Sequence, residues 1–257
     1  MKKKAMQVAA IAIVLSGMAI SSLFASAEEK EYVSNGVVTF IPNEDTQGPV
    51  DPTDPDPEKP VDPVDPIDPG VPPGPGTGGP LGIDFVSNLD FGINEISNKN
   101  KIYYANAQFI RSGGESKYVP NYVQISDSRG LNAGWTLTVK QEDQFSNANT
   151  QNKKLTGAQI KFESPAVTGK TQVTPPKAEE ITLVPGTDSL VMSAGPNEGA
   201  GLWVNLWGTV DEMTNAEGQK VQKNKAISLS IPGKTPKDTV TYSTKLTWNL
   251  SDVPGNK

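Results

Sequence analysis

Tryptophans are the side chains of this sequence best suited to binding chemistry, and two of its four tryptophans recur in the same short pattern. Trp135 stands two residues before Leu137, and Trp248 stands two residues before Leu250. An indole face packs against the C–H face of a sugar ring, as in many concave ligand sites. We therefore name these four residues as candidate binding residues. The alternative, which the alternating pattern favours, is that they fill the core between two β-sheets.

Trp203, Asn205 and Trp207 form a second set of candidates, separated from each other by aliphatic residues. Side chains alternate between the two faces of a strand, so these three share one face. A run that is apolar on both faces is typical of a central strand. A buried amide needs hydrogen-bond partners, so a Trp-Asn-Trp face also fits a ligand site. Ordinary packing is the favoured interpretation here, as it is for Tyr103 and Tyr104.

The sequence contains no cysteine and no histidine. This excludes disulfides, thiol nucleophiles, Ser-His-Asp triads and zinc sites built from imidazole or thiolate. Paired carboxylates, as in glycosidases, remain available among 29 acidic residues, but no acid/base pair is recognisable. The loop from Asp127 to Gly130 and the pair Glu142 and Asp143 lack the ligand spacing of a calcium loop. We therefore expect no enzymatic activity, no cofactor and no metal site.

The first 27 residues have the features of a secretory signal peptide. Lysines at 2–4 precede an apolar stretch over 9–23, and small residues over 25–27 form a cleavage site. Cleavage there predicts a secreted protein that begins at position 28 and has no membrane span. The formal net charge of −6, which becomes more negative after cleavage, argues against nucleic acid as a partner.

Two segments precede the main domain. Residues 28–47 contain a β-branched and aromatic run over 37–41 that predicts one strand. A lone strand is not stable in water, so we expect it to pack on the main domain as an edge strand. Deleting residues 28–47 should then lower the melting temperature of the rest of the chain, and an unchanged value would contradict this. Residues 48–80 hold 12 prolines and six Asp-Pro steps, which predicts a disordered, extended linker.

Residues 81–257 form the main domain, in which short β-like runs alternate with turns that contain Gly and Pro. No stretch keeps the apolar spacing of an amphipathic helix over three turns. Both Trp-x-Leu patterns alternate polar and apolar residues, as half-buried antiparallel strands do. These features predict an all-β domain, either an antiparallel β-sandwich or a barrel-like fold, preceded by the Pro-rich linker.

The two Trp-x-Leu patterns and their flanks resemble the WxL family of Gram-positive surface proteins. Three stretches carry the resemblance: an entry segment over 79–92, an approach to the first pattern over 123–130, and the closing string over 246–255 around the second pattern. Together they span nearly the whole chain after the signal peptide. We therefore expect a WxL-type β domain over 81–257.

The resemblance implies noncovalent attachment to the cell wall by peptidoglycan binding, in a surface-displayed protein with a structural or adhesion-related role. No sortase-type signal follows the second pattern in this sequence, which fits noncovalent retention. The family also implies partners among other surface proteins of the same family or gene cluster. The alternative is a protein–protein interaction module in a surface complex, attached to the wall indirectly through its partner. The glycan epitope, the oligomeric state and calcium dependence stay open.

Overall fold

Antiparallel β-strands make up the regular secondary structure of residues 30–254, which are the residues that the computed structural model describes. No helix occurs among them, so the predicted all-β antiparallel fold is confirmed. The predicted signal peptide lies outside the described residues. The strands are β1 (Asp62–Val64), β2 (Leu81–Val86), β3 (Lys101–Asn106), β4 (Gln108–Ser112), β5 (Glu115–Val119), β6 (Tyr122–Asp127), β7 (Trp135–Gln141), β8 (Gln159–Phe162), β9 (Pro165–Thr168), β10 (Lys177–Ala178), β11 (Ile181–Thr182), β12 (Asp188–Ala194), β13 (Gly201–Trp207), β14 (Val210–Thr214), β15 (Lys220–Ile231) and β16 (Leu246–Ser251).

The described strands form four antiparallel sheets. The smallest has the order β1-β4-β5, and the others have the orders β2-β6-β13-β9, β10-β12-β7-β16 and β11-β8-β15-β14. Strand β3 also pairs with β15. The three larger sheets share one main hydrophobic core, to which each contributes the apolar face of its strands. This core therefore positions the strands that carry all four tryptophans.

Strand β7 shows how the sequence produces this core. Trp135, Leu137, Val139 and Gln141 are buried, whereas the residues between them are only partly buried. This period of two is what a pleated strand with one covered face requires. Aromatic and β-branched residues also suit such a half-buried surface. The alternation predicted from the sequence for this strand is confirmed.

The Pro-rich segment is the main difference from the sequence prediction. Strand β1 lies in this segment and pairs with β4 at the edge of its sheet. Edge strands tolerate a proline such as Pro63, because their outer side has no ladder bond to lose. Val50 and Val61 are buried in a second hydrophobic core. The prediction of a disordered linker over 48–80 is therefore wrong for the part that bears these residues. The other buried members of this core are Phe85, Ile110, Val119, Tyr122, Val204 and Leu206.

The physical reason is that the rest of the domain supplies the core that this segment lacks. A segment of low hydrophobicity cannot build a core of its own. Two buried valines, Val50 and Val61, are enough to complete a core whose remaining members come from other strands. Surface ion pairs join the segment as well, such as Lys170 with Asp54 and Asp56 at 3.1 and 3.2 Å. Exposed pairs of this kind contribute little to stability.

A buried carboxyl group and an amide hold this segment in place. Asp84 lies at a β-bulge in β2 and is 4% exposed. Its Oδ2 accepts hydrogen bonds from Ser126 Oγ at 2.6 Å and from Gln124 Nε2 at 3.0 Å. The same Gln124 side chain donates to Gly48 O at 3.0 Å and accepts from Val50 N at 2.8 Å. Burial raises the pKa of Asp84 to about 6, although these donors act in the opposite direction.

The wild-type protein is expected to lose stability relative to an Asp84→Asn variant as the pH rises. Since burial raises the pKa of Asp84 to about 6 in the folded state, above ~3.9 in an unfolded chain, the native state keeps a proton that the unfolded state releases. This stabilisation is complete below pH ~4 and is lost through pH ~6, on the order of 2–3 kcal/mol. Urea titrations at pH 4, 5, 6 and 7 measure the difference between the two proteins. Asp62→Asn removes an exposed carboxylate and serves as the control. If the stability difference between wild type and Asp84→Asn changed with pH as little as that between wild type and Asp62→Asn, the prediction would be contradicted.

The chain divides into two units, Met1–Thr39 and Phe40–Lys257. In the first unit, the described residues 30–39 are exposed and have no regular secondary structure. The strand predicted over 37–41 is not formed in this structure. The packing of residues 28–47 on the main domain stays a prediction. The Pro-rich segment belongs to the second unit, because its valines complete a core there.

Candidate functional site

The two Trp-x-Leu patterns lie on neighbouring strands of one sheet. Strand β16 pairs antiparallel with β7, so that Leu250 lies opposite Leu137 and Trp248 lies opposite Val139. Directly opposed residues point to the same face of a sheet, and this face belongs to the main core. The structure therefore brings together the residues of the two patterns that the sequence analysis named.

The first pattern is part of the packed core. Trp135 and Leu137 expose none of their surface. The indole Nε1 of Trp135 donates a hydrogen bond to Gly199 O at 3.0 Å, so the polar atom of the ring is satisfied inside the core. Gly199 has a φ of 70°, and a Cβ there would lie 2.9 Å from this Nε1. Glycine thus lets the backbone approach the ring, and the indole has no face left for a ligand.

The second pattern is different, since Trp248 and Leu250 are only partly buried. Strand β16 is the edge strand of its sheet, so nothing in that sheet covers its outer side. The ring of Trp248 packs against Trp207 and Phe162, with centroids 6.3 and 6.5 Å apart. Trp248 also lines two clefts. It is therefore the accessible indole of the two patterns.

The larger cleft has a volume of about 980 Å³. A loop over 86–96 and a segment over 237–246 line it, together with Trp248. Ile93 and Ile96 are 69% and 52% exposed at this cleft. Its lining therefore combines aromatic, aliphatic and charged groups, as expected for a ligand with both polar and apolar parts. The charged lining residues are Asp90, Glu95, Lys237, Asp238 and Lys245.

Hydrogen bonds fix the base of the loop over 86–96. The carboxylate of Asp90 accepts from Gly92 N at 2.8 Å and from Asn106 Nδ2 at 2.6 Å. Lys223 Nζ donates to Phe91 O at 3.3 Å. Burial lowers the pKa of Lys223, while the charge of Asp90 acts in the opposite direction. The tip of the loop, with its exposed isoleucines, thus stands on a fixed base.

The segment over 237–246 has a similar support. The carboxylate of Asp238 accepts from Thr150 Oγ1, and from Asn152 N and Nδ2 at 2.8 and 2.6 Å. These bonds, that of Thr150 first, lower the pKa of Asp238. Tyr242 Oη accepts from Asp238 N at 3.0 Å and donates to Asn152 O at 2.8 Å. With both sides fixed, little ordering entropy is lost when a ligand enters the cleft.

Trp248 also lines a smaller cleft, of about 540 Å³. Residues 63–66 and 71–77 of the Pro-rich segment line it, together with residues 83–86 of β2. The same segment that completes the second core therefore also forms part of the surroundings of the accessible indole.

The second set of candidates lies away from both clefts. Trp203, Asn205 and Trp207 are 4%, 0% and 1% exposed, and none of them lines either cleft. Strand β13 lies between β6 and β9, which confirms the predicted central strand. Trp203 Nε1 donates to Ala200 O at 3.1 Å, whereas the amide atoms of Asn205 have no protein partner within residues 30–254. Of the three, Trp207 reaches the site indirectly, by packing against Trp248.

The two sides of the larger cleft were not among the residues predicted from the sequence to form a site. Residues 88–96 and 237–245 carry no strand in the structure, so alternation, which located the strands, gave no signal there. One signal was available, because Asp90 two residues before Gly92 is typical of an Asx turn. The mixture of apolar residues with Asp90 and Glu95 in this turn-rich loop was a second one. Within residues 30–254, no group of three or more acidic side chains is arranged to hold a metal ion.

Comparison with known protein families identifies the family of this chain. A family model described as WxL domain, surface cell wall-binding, matches residues 27–254. Searches of curated proteins and of solved structures give no match. The part of the chain that the structure describes contains no helix that is long and apolar enough to cross a membrane. The match covers nearly the whole chain, and both Trp-x-Leu patterns lie within it, so this protein belongs to the WxL family of surface cell-wall-binding proteins.

Proposed function

We propose that this protein is secreted and attaches noncovalently to the peptidoglycan of a Gram-positive cell wall through the larger cleft, as a surface-displayed structural or adhesion-related protein without enzymatic activity. The observation that carries the proposal is the position of Trp248. It is the accessible indole of the two patterns, and it lines both clefts. A partly exposed indole beside fixed polar groups is the chemistry that binds a sugar ring.

The size and composition of the larger cleft support this proposal. Its volume of about 980 Å³ lies at the upper end of the range for ligand sites. Peptidoglycan carries sugar rings, amides, carboxylates and amines, and the cleft offers an indole, aliphatic side chains and charges of both signs. Apolar contacts of this kind are little affected by salt, in contrast to attachment held by surface charge.

The two patterns then have separate roles. Trp135 organises the core beneath the sheet, whereas Trp248 contacts the ligand from the edge strand. Leu137 belongs to the core, and Leu250 packs partly against it. The paired register of β7 and β16 links the roles, because it fixes Trp248 relative to the core.

Replacing Trp248 by alanine is expected to weaken binding to sacculi stripped of protein and teichoic acid by about 30-fold, or ~2 kcal/mol. The reason is the loss of the accessible indole in both clefts. Co-sedimentation of the purified protein with sacculi across a salt series measures this. Near-UV circular dichroism verifies that the variant is folded.

The matched control is Tyr118→Ala, which removes an aromatic side chain that is 50% exposed on β5 and lines neither cleft. This control should bind sacculi like the wild type. A folded Trp248→Ala variant that also binds like the wild type would place the wall-binding site elsewhere. Failure of the wild type to bind protein-free sacculi would remove direct peptidoglycan binding from the proposal.

The outer edge of β16 favours a second candidate function, an interaction module in a surface complex. Glu142 N donates to Lys245 O, so the opposed residues Gln141 and Leu246 are a non-hydrogen-bonded pair of the β7–β16 ladder. Because such pairs alternate with hydrogen-bonded pairs, Leu246, Trp248 and Leu250 direct their backbone N–H and C=O groups away from β7. Within residues 30–254, β16 pairs with β7 alone. A strand from another surface protein of the same family or gene cluster could add to this edge and so attach the chain to the wall indirectly.

A further inference from the structure

Lys223 and Asn106 are directly opposed across two neighbouring strands, β15 and β3. The next residue, Ala107, donates its N–H to Gln222 O at 3.0 Å. This bond identifies the opposed residues as a non-hydrogen-bonded pair of the antiparallel ladder. The Cα atoms of such pairs are only about 4.5 Å apart, and their side chains make the closest cross-strand contacts. A lysine amine and a carboxamide therefore share a small space on one face of the sheet.

The amine of Lys223 is in an unusual environment for a charged group. The residue is 9% exposed, and its Nζ donates to Phe91 O at 3.3 Å and to Tyr104 O at 3.1 Å. No carboxylate is hydrogen-bonded to it among the described residues. Burial without such a partner lowers the pKa of Lys223, although the charge of Asp90 opposes this. The neutral amine, which is the nucleophilic form, is thereby more populated than it is in an exposed lysine.

The carboxamide of Asn106 is held in a fixed orientation. Its Nδ2 donates to Asp90 Oδ2 at 2.6 Å, and its backbone N donates to Asp90 O at 2.7 Å. A Cβ built on Gly92 would lie 3.1 Å from Lys223 Nζ and 4.0 Å from Asn106 Oδ1. Amine and amide thus border the same small space, which remains open because residue 92 has no side chain. The amide nitrogen of Asn106 is thus hydrogen-bonded to the carboxylate of Asp90, a group that can accept and donate a proton.

We propose that Lys223 and Asn106 become joined by an intramolecular isopeptide bond, with Asp90 as the catalytic proton carrier. The neutral Nζ attacks Cγ of Asn106, and a new Nζ–Cγ bond forms. Asp90 takes one proton from the attacking nitrogen and passes it to Nδ2. The Cγ–Nδ2 bond then breaks, and Nδ2 leaves as ammonia. No oxidant or further reactant is needed. The fold holds the amine and the amide close together, and this proximity raises the rate above that of the same groups free in solution.

Such a bond would give this cysteine-free chain a covalent link between strands that are distant in sequence. Links of this kind stabilise mainly by restricting the unfolded chain, as disulfides do. The bond would also fix the base of the loop over 86–96, since Lys223 and Asp90 both contact that base. This inference does not depend on which ligand the cleft binds.

The test is the intact mass of the purified exported protein, followed by peptide mapping. The expected mass is lower than the mass calculated from the processed sequence by one ammonia molecule, and a protease digest should contain one branched peptide that joins residues 106 and 223. Lys223→Arg should show no loss. Asn106→Asp should lose one water molecule in place of ammonia, because its leaving group is a hydroxyl. Asp90→Ala, verified as folded by circular dichroism, should keep the full mass.

Lys237→Arg is the matched control. Lys237 also donates to three backbone carbonyls, those of Ser97, Pro232 and Thr235, but none of its bonds in the described residues involves a carboxamide. This variant should retain the mass loss. The full calculated mass for the wild type would overturn the proposal. A loss of ammonia that maps to the Asn35-Gly36 step would overturn it too, because it would report a succinimide there.

Discussion

Replacing Trp135 by alanine is expected to lower the free energy of unfolding by about 3–5 kcal/mol, as for other large-to-small changes in a core. Trp135 is among the largest fully buried side chains, and its truncation leaves a cavity below the sheet. It also removes the indole donor of Gly199 O, so a buried carbonyl loses its partner. Urea unfolding followed by far-UV circular dichroism measures the change.

Trp248→Ala is the comparison that makes this result informative. Both variants lose an indole from the same kind of sequence pattern, but Trp248 is partly exposed on an edge strand. Its loss should therefore cost less stability than that of Trp135 and more binding. Equal destabilisation by the two changes would contradict the separate roles assigned to the two patterns. A Trp135→Ala variant as stable as the wild type would contradict the core position of this residue.

Replacing Val50 by aspartate is expected to destabilise the protein by about 3 kcal/mol or more, because it puts an unpaired charge in an apolar core. Val50 is 0% exposed, and its backbone N is bonded to the buried amide of Gln124. The buried carboxyl of Asp84 accepts a hydrogen bond from the same Gln124 amide. When Asp84 is ionised, its charge also repels the new carboxylate. Thermal melts and limited proteolysis of the Pro-rich segment measure the effect.

Val71→Asp is the matched control within the same segment. Val71 is 51% exposed and belongs to neither hydrophobic core, so its replacement should leave the melting temperature nearly unchanged. If Val50→Asp were equally harmless, the segment over 48–64 would behave as the free linker that its composition predicts. The same Val→Asp change at a buried and at an exposed position thus tests whether the Pro-rich segment is packed on the domain or is a free linker.

The sequence predicts most of the strands because a strand that buries one face alternates apolar and polar residues. This alternation can be recognised without knowing which strand it pairs with. The run from Trp135 to Val139 shows this period. Strand β13 is predicted for a different reason, because a run that is apolar on both faces is typical of a central strand. The family resemblance rests on the same runs, and the family assignment is confirmed over residues 27–254.

The candidate site could not be predicted in the same way. Trp135 and Trp248 stand in nearly identical strings, and only the order of strands decides which indole is covered. Strand β7 lies between β12 and β16, whereas β16 has one neighbour. Likewise, nothing within the Pro-rich segment reveals that Val50 and Val61 meet Phe85 and Ile110, because these contacts are made by residues distant in sequence.

The pairing of β16 with β7 has a consequence for the order in which the molecule can form. Leu250 and Leu137 are neighbours in the sheet, yet more than one third of the chain separates them. Contacts between such distant positions form late and slow the acquisition of structure. Because a ribosome delivers β16 after β7, the sheet that holds Trp135 stays unfinished until residues 246–251 have been made. A chain that stops short of residue 246 lacks both this edge strand and the accessible indole, so only molecules that extend through β16 can acquire a finished cleft.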